Sequence, residues 1–194
     1  MQNDSPATAS GSAAPISAAP TPAPVNGRLF WPILIVVVAV DVLTKALAVR
    51  TLAPARVPHD LIGEYLRFTL VYNPGAAFGL HVGEHSRWVF MALTIGALLI
   101  LGRLYVLAAA GDRSRVAALA LVCGGAIGNL IDRIRSPLGV VDFLDIGVND
   151  TRWPTFNVAD IAVSIGAFVL AVVLWAEDRP EQPAKVGIVS GEAT

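Results

Sequence analysis

The chain has 194 residues, 55% of them hydrophobic and only 15% charged, and a formal net charge of -1. A soluble domain carries about 25% charged residues; here the deficit is concentrated in four long apolar runs, which places a membrane protein ahead of a soluble one. The absence of a basic run argues against a nucleic-acid partner, and the single cysteine, Cys123, excludes an intrachain disulfide framework or a multi-Cys metal site. Residues 1–27 are rich in Ala, Pro, Ser and Thr with one charge, Asp4, and read as a disordered tail with too little apolar surface to fold. No basic segment precedes residue 28, so the start does not read as a secretory signal peptide.

The first span is predicted from Leu29 to Val49. Within it Asp41 and Lys45 are spaced i, i+4 in the favourable order for an ion pair. They read either as a mutually neutralised pair or as a contact to a lipid headgroup or to the segment that follows. That segment, 50–87, alternates Leu66, Phe68, Leu70 and Tyr72 with Tyr65, Arg67, Thr69 and Val71, a strand pattern running into the turn Asn73-Pro74-Gly75. The second span is predicted from Trp88 to Ala110, with Arg103 snorkelling toward an interface. The short connection bearing Arg113 and Arg115 is the densest in positive charge, which predicts both termini on the cytoplasmic side.

The third apolar run, Val116 to Ile131, covers roughly 24 Å as a helix, short of the ~30 Å hydrocarbon core. The helix is therefore expected to continue through Asp132 and Arg133. The segment 136–156 mixes Val140, Val141, Phe143, Leu144 and Ile146 with Asp142, Asp145 and Asp150 and suits the membrane interface, with no conformation assigned. The fourth span runs from about Val158 to Ala176, and residues 177–194 read as a polar tail. The expected fold is an all-α polytopic membrane protein: four transmembrane helices in one domain, residues 28–176, with a small β element and an interfacial segment on the outer face.

Asp132 and Asp160 lie near the ends of consecutive antiparallel spans, hence at one face and similar depth, where ionisable residues are functional candidates. Two converging acids suit aspartic protease chemistry: one carboxylate activates water while the other, protonated, donates to the scissile carbonyl. The alternative is a pair of interface acids capping helices or bridging to Arg133. Gly125, Asn129 and Asp132 share one helix face, and Asn129 is expected to hold Asp132 or a substrate carbonyl. Gly124 and Gly128 form a GxxxG pair, a surface for a neighbouring helix or for substrate. Arg133 reads as site residue or interface anchor, and Asn157 as a helix N-cap preceding Asp160. Asp142 is the main rival to Asp132 and Asp160, but its place on a connection favours an exposed or supporting role. Cys123, Ser86 and Ser164 have no visible base.

DVLTK at 41–45, NPGAAFG at 73–79, GGAIGNLIDR at 124–133, VVDF at 140–143 and FNVAD at 156–160 resemble, in order, the motifs of the lipoprotein signal peptidases, also called signal peptidase II. The resemblance covers roughly residues 29–176 and departs from the family at Pro74 and in the long N-terminal tail. It implies a membrane aspartic endopeptidase of the bacterial cytoplasmic (inner) membrane that removes signal peptides from diacylglyceryl-modified prolipoproteins, cutting just before the lipidated cysteine. It further implies Asp132 and Asp160 as the catalytic pair, with Asn73, Asn129, Arg133 and Asn157 supporting binding. It implies no cofactor and no metal. The expected partners are prolipoprotein substrates and membrane lipids, the chain acting as a monomer with its active site toward the outer face. A small transporter would instead distribute charges across the membrane, and a structural subunit would tolerate loss of the acids.

Overall fold

The structure, a computed structural model, describes residues 24–75 and 83–177. Four helices are long and apolar enough to cross a membrane: α1 (Pro24–Thr51), α2 (Ser86–Leu107), α3 (Arg113–Arg135) and α4 (Val158–Glu177). The chain is thus a mostly helical, four-span membrane protein. The spans differ in what surrounds them. In α3, 44% of the spanning window is buried in protein, against 17% in α1 and α4 and none in α2. Its mean hydropathy is also the lowest, 1.6 against 2.1 to 2.3. A helix enclosed by protein is selected for close packing, whereas one facing lipid is selected for apolarity. Val116, Leu119, Ala120 and Cys123 accordingly pack α3 into the core, with Phe30 of α1 and Ala108 beyond α2 in the same cluster.

The predicted strand is β2 (Leu66–Asn73), and it lies in a four-stranded sheet. It pairs with β1 (Pro58–Ile62) on one side and β3 (Val140–Val148) on the other, and β4 (Thr151–Arg152) adds to β3, in the antiparallel order β1-β2-β3-β4. The segment 136–156, left without a conformation from sequence, is therefore largely sheet. Its register with β2 pairs Tyr72 with Val141 and Val71 with Asp142. Leu70, Val141 and Phe143 bury against Ala48 and Leu52, seating the sheet on the C-terminal end of α1. At the expected turn, Gly75 N–H donates to Asn73 Oδ1 at 3.1 Å, and Gly75 takes a φ of 118° that favours glycine.

Three expectations change. Helix α1 begins at Pro24, inside the stretch assigned to the tail, and Asn26 is buried within the fold. Helix α2 runs from Ser86 to Leu107, earlier at both ends than expected. The glycine face of α3 is not an open groove. A Cβ on Gly124 would press on Val37 and the Leu34 carbonyl, on Gly128 it would overlap the Asp41 carboxylate, and on Gly125 the Ala159 carbonyl. Those glycines let α1 and α4 approach α3, leaving no room there for a substrate backbone. The NPGAAFG block beyond Gly75, His81 and the two chain ends lie outside the described residues.

Candidate active site

The predicted continuation of α3 carries Asp132 and Arg133 on helix, its C-cap at Ser136 closing with an N–H to the Asp132 carbonyl. Arg87, at the start of α2, adds to that cap: its Nε and Nη2 donate to the carbonyls of Arg133 (2.6 Å) and Ile134 (3.1 Å). A cation at a helix C-terminus is favourable as well as satisfying orphan carbonyls. At the start of α4, Asn157 acts as the expected N-cap. Its Oδ1 accepts from Asp160 N–H at 2.9 Å, while Asp160 Oδ2 accepts from Asn157 N–H at 3.1 Å. This reciprocal pair is a capping box with Asp in the glutamate position. It fixes the Asp160 carboxylate at the helix end, beside the sheet.

Asp41 and Lys45 form the expected i, i+4 ion pair at 2.8 Å, exposed by only 0% and 3%. Lys45 Nζ has two further partners, Asp132 Oδ2 at 2.9 Å and Asn129 Oδ1 at 2.8 Å. Its three protons are therefore all used. Asp41 Oδ1 in turn accepts from the Ala159 N–H of α4 at 2.9 Å. Asn129 does not hold Asp132, as one reading of the sequence had it. Its Nδ2 donates to Asp160 Oδ1 at 2.8 Å, because the amide is turned toward α4 by the two donors, Lys45 and Asn157, that claim its oxygen. Gly125 contributes by letting α4 approach. Arg133 folds back to donate to the Asn129 carbonyl at 3.2 Å and lies over the Phe90 ring at 5.6 Å.

Asp142 departs furthest from its expectation. It is 2% exposed, because β3 carries it beneath the sheet between Val141 and Phe143, themselves buried. Asn157 Nδ2 donates to its Oδ1 at 2.7 Å and Asn73 Nδ2 to its Oδ2 at 3.2 Å. Asp142 and Asp160 thus hang from the same residue, Asn157. Burial, then the negative charge of Asp160, push the Asp142 carboxyl up to about 7, against the pull of the Asn73 and Asn157 hydrogen bonds and the Lys45 charge. The sequence offered a signal for this: an acid between Val140-Val141 and Phe143 must enter the core whenever its apolar neighbours are held on both faces of a strand.

Asp160 and Asp132 also face different cavities. Asp160 opens on a cavity of about 290 Å³ lined by Trp153, Phe156, Ile161, Ser164 and Ile165. Asp132 lines a separate one of about 270 Å³, with Lys45, Arg50 and Arg135. Among the described residues no group of three His, Cys, Asp or Glu is arranged to hold a metal ion.

The family model of signal peptidase (SPase) II, Peptidase_A8, matches residues 33–176. A lipoprotein signal peptidase of Burkholderia thailandensis is 42% identical over 141 residues, 71% of this chain and 82% of the relative. One of Paraburkholderia phytofirmans is 38% identical over 159 residues, 79% and 90% of the two chains. A bacterial membrane enzyme solved by the in meso method at 2.3 Å resolution superposes with a TM-score of 0.70 at 29% identity, covering 80% of this chain and 93% of that one.

Proposed function

The chain belongs to the signal peptidase II family, and we propose that Asp142 and Asp160, not Asp132 and Asp160, are the carboxylates that hydrolyse its substrate. The enzyme is a signal peptidase II type protease that removes signal peptides from prolipoproteins. The observation that carries the choice is Asn157, which holds one oxygen of Asp142 through its side chain and one of Asp160 through its backbone. Asn157 thus brings the two acids together, as aspartic catalysis requires, and the charge of Asp160 favours the protonated form of Asp142. Asp132 is occupied otherwise, its Oδ2 bound to Lys45 Nζ and to the Val141 N–H at 3.2 Å. Those contacts give Asp132 a structural role, tying β3 to α1 and α3.

With its proton retained to about pH 7, Asp142 is the general acid. Asp160 is the base: it takes a proton from water, and the resulting hydroxide attacks the scissile carbonyl carbon. Asp142 gives its proton to the carbonyl oxygen. When the tetrahedral intermediate collapses, Asp142 takes back the proton from a hydroxyl of the gem-diol as the C=O re-forms, the C–N bond breaks, and the leaving amine takes the proton from Asp160. The apolar cavity beside Asp160 suits the small and apolar residues of a signal peptide.

The finer reading is that the cut falls before a diacylglyceryl-modified cysteine. The sheet then sits at the outer face of the inner membrane, with both termini cytoplasmic and the protein working as a monomer among lipids. Two acyl chains fix the substrate's depth, each buried CH₂ contributing about 0.8 kcal/mol. The test uses purified full-length protein in liposomes with matched lipidated and unmodified prolipoprotein. Asp142→Asn and Asp160→Asn are expected to lose about a thousandfold or more in kcat, Asp132→Asn far less, and the unmodified substrate to remain uncut. Substantial turnover by Asp142→Asn returns the role to Asp132; equal cutting of both substrates removes the lipid requirement. A reporter after residue 112 is expected to read cytoplasmic and one near Asp150 external.

A further inference from the structure

We propose that Lys45 is a positioning residue for the acid pair, acting through Asp132 on the strand that carries Asp142. The inference rests on the assignment of Asp142 above. Lys45 Nζ holds Asp132 Oδ2 at 2.9 Å, and that same oxygen accepts the Val141 N–H at 3.2 Å, one residue before Asp142. A second route runs through Asn129. Its Oδ1 accepts from Lys45 at 2.8 Å and from Asn157 Nδ2 at 3.1 Å, and that Nδ2 also donates to Asp142 Oδ1 at 2.7 Å. Asn129 Nδ2, oriented by these donors, reaches Asp160 Oδ1 at 2.8 Å. One ammonium on α1 therefore sets the position of both acids, one on β3 and one on α4, without touching either.

The ammonium is also the local source of positive charge on α1. The charged and polar groups that act on Asp142 are Lys45 from α1, Arg133 from α3, Asp160 from α4, Asn157 before α4 and Asn73 from β2, with Asp41 and Asp132 acting on it through Lys45. Asp41 and Asp132 divide the charge of Lys45 between them. Removing Lys45 takes away a positive charge that favours ionised Asp142. Removing the charge of Asp132 leaves Lys45 less neutralised, with the opposite effect. Packing alone would not give shifts of opposite sign.

The experiment measures kcat against pH for full-length protein in liposomes, with folding followed by thermal unfolding. Lys45→Met is expected to lower kcat about tenfold or more and to move the alkaline limb to higher pH by about half a unit or more. Asp132→Asn is expected to lower kcat less and to move that limb to lower pH. Lys45→Arg, which keeps the charge but not the compact three-proton head, is expected to lower kcat with the limb near its wild-type position. Limbs that stay fixed, or move the same way in Lys45→Met and Asp132→Asn, overturn the proposal, as does wild-type kcat in Lys45→Met. Should Lys45→Met not fold, Asp132→Asn decides, an unmoved limb counting against it. Asp142→Asn at wild-type activity would instead sink the assignment of the acid, a result separable from these.

Discussion

At the end of the bundle away from the sheet, Asn26 is 3% exposed and closes the turn between α2 and α3. Its Nδ2 donates to the carbonyls of Ala108 (3.4 Å) and Ala109 (3.0 Å), and its Oδ1 accepts from Gly111 N–H at 3.1 Å. At the sheet end Asn157 is 0% exposed, but three of its partners are the side chains of Asn129, Asp142 and Asp160. Charges divide in the same way. The ion pairs of Arg115 with Asp112 and Glu177 are partly exposed, where a pair contributes about 0–1 kcal/mol. Asp41 and Lys45 are sealed in protein, where removing one partner costs about 3–5 kcal/mol. One end spends its polarity on backbone groups that any fold must satisfy. The other buries ionisable groups that a fold alone does not require, which is how a site is distinguished from a turn.

The largest expected effect tests whether the sheet end is costly because of its acids. The folded-state value of Asp142 lies above the ordinary 3.8, so the fold favours its protonated form. The stability this contributes is fully present below the unfolded value and is lost as pH rises through about 7. Between pH 5 and pH 8 the wild type is expected to lose about 3 kcal/mol from this group, and Asp142→Asn to lack that component of the slope. Unfolding in detergent at the two pH values measures the difference; parallel slopes would show that Asp142 carries no such burden.

A smaller effect is expected at Gly128. A Cβ there would meet Asp41 Oδ2, the oxygen that holds Lys45. Gly128→Ala is expected to cost about 1–3 kcal/mol through overpacking and to lower kcat by displacing the ion pair. Gly96, whose added Cβ would meet no atom within 4 Å, serves as the control: Gly96→Ala should leave both unchanged. Equal effects at the two positions would mean that the close approach of α1 to α3 is not special.

The spans, the strand 66–73 and the N-cap at Asn157 were legible because each has a local cause: an apolar run, an alternation, a short polar side chain before a helix. The family was legible in its ordered motifs. Two things were not. One sheet partner of β2, β3, lies about seventy residues away, and pairing at that separation leaves no periodicity in a short mixed segment. The choice between Asp132 and Asp142 depends on which acid Lys45 reaches. Matched depth along two spans is a one-dimensional argument, and it placed Asp132 correctly at the sheet end without showing that an ammonium from α1 would occupy it. The glycines were likewise read as a surface before their occupants, Val37, Asp41 and Ala159, were known.

The smallest effects belong to the other end, and they separate the tail from the fold. Asn26 lies within the stretch that composition assigned to the tail, yet it satisfies three backbone groups of the turn at 108–111. Asn26→Ala leaves those groups without their partner, which costs about 1–3 kcal/mol when they are buried. Turnover per folded molecule should stay at the wild-type level, because nothing at the sheet end changes. Deleting residues 2–20 removes an Ala- and Pro-rich segment with no apolar periodicity and is expected to change neither stability nor kcat. Extending the deletion through residue 26 should reproduce the loss seen in Asn26→Ala and add that of the first turn of α1. If the two deletions behave alike in thermal unfolding, Asn26 is not what closes that end. If the shorter one alone lowers turnover, the tail reaches the site or its substrate, and the boundary belongs at residue 1.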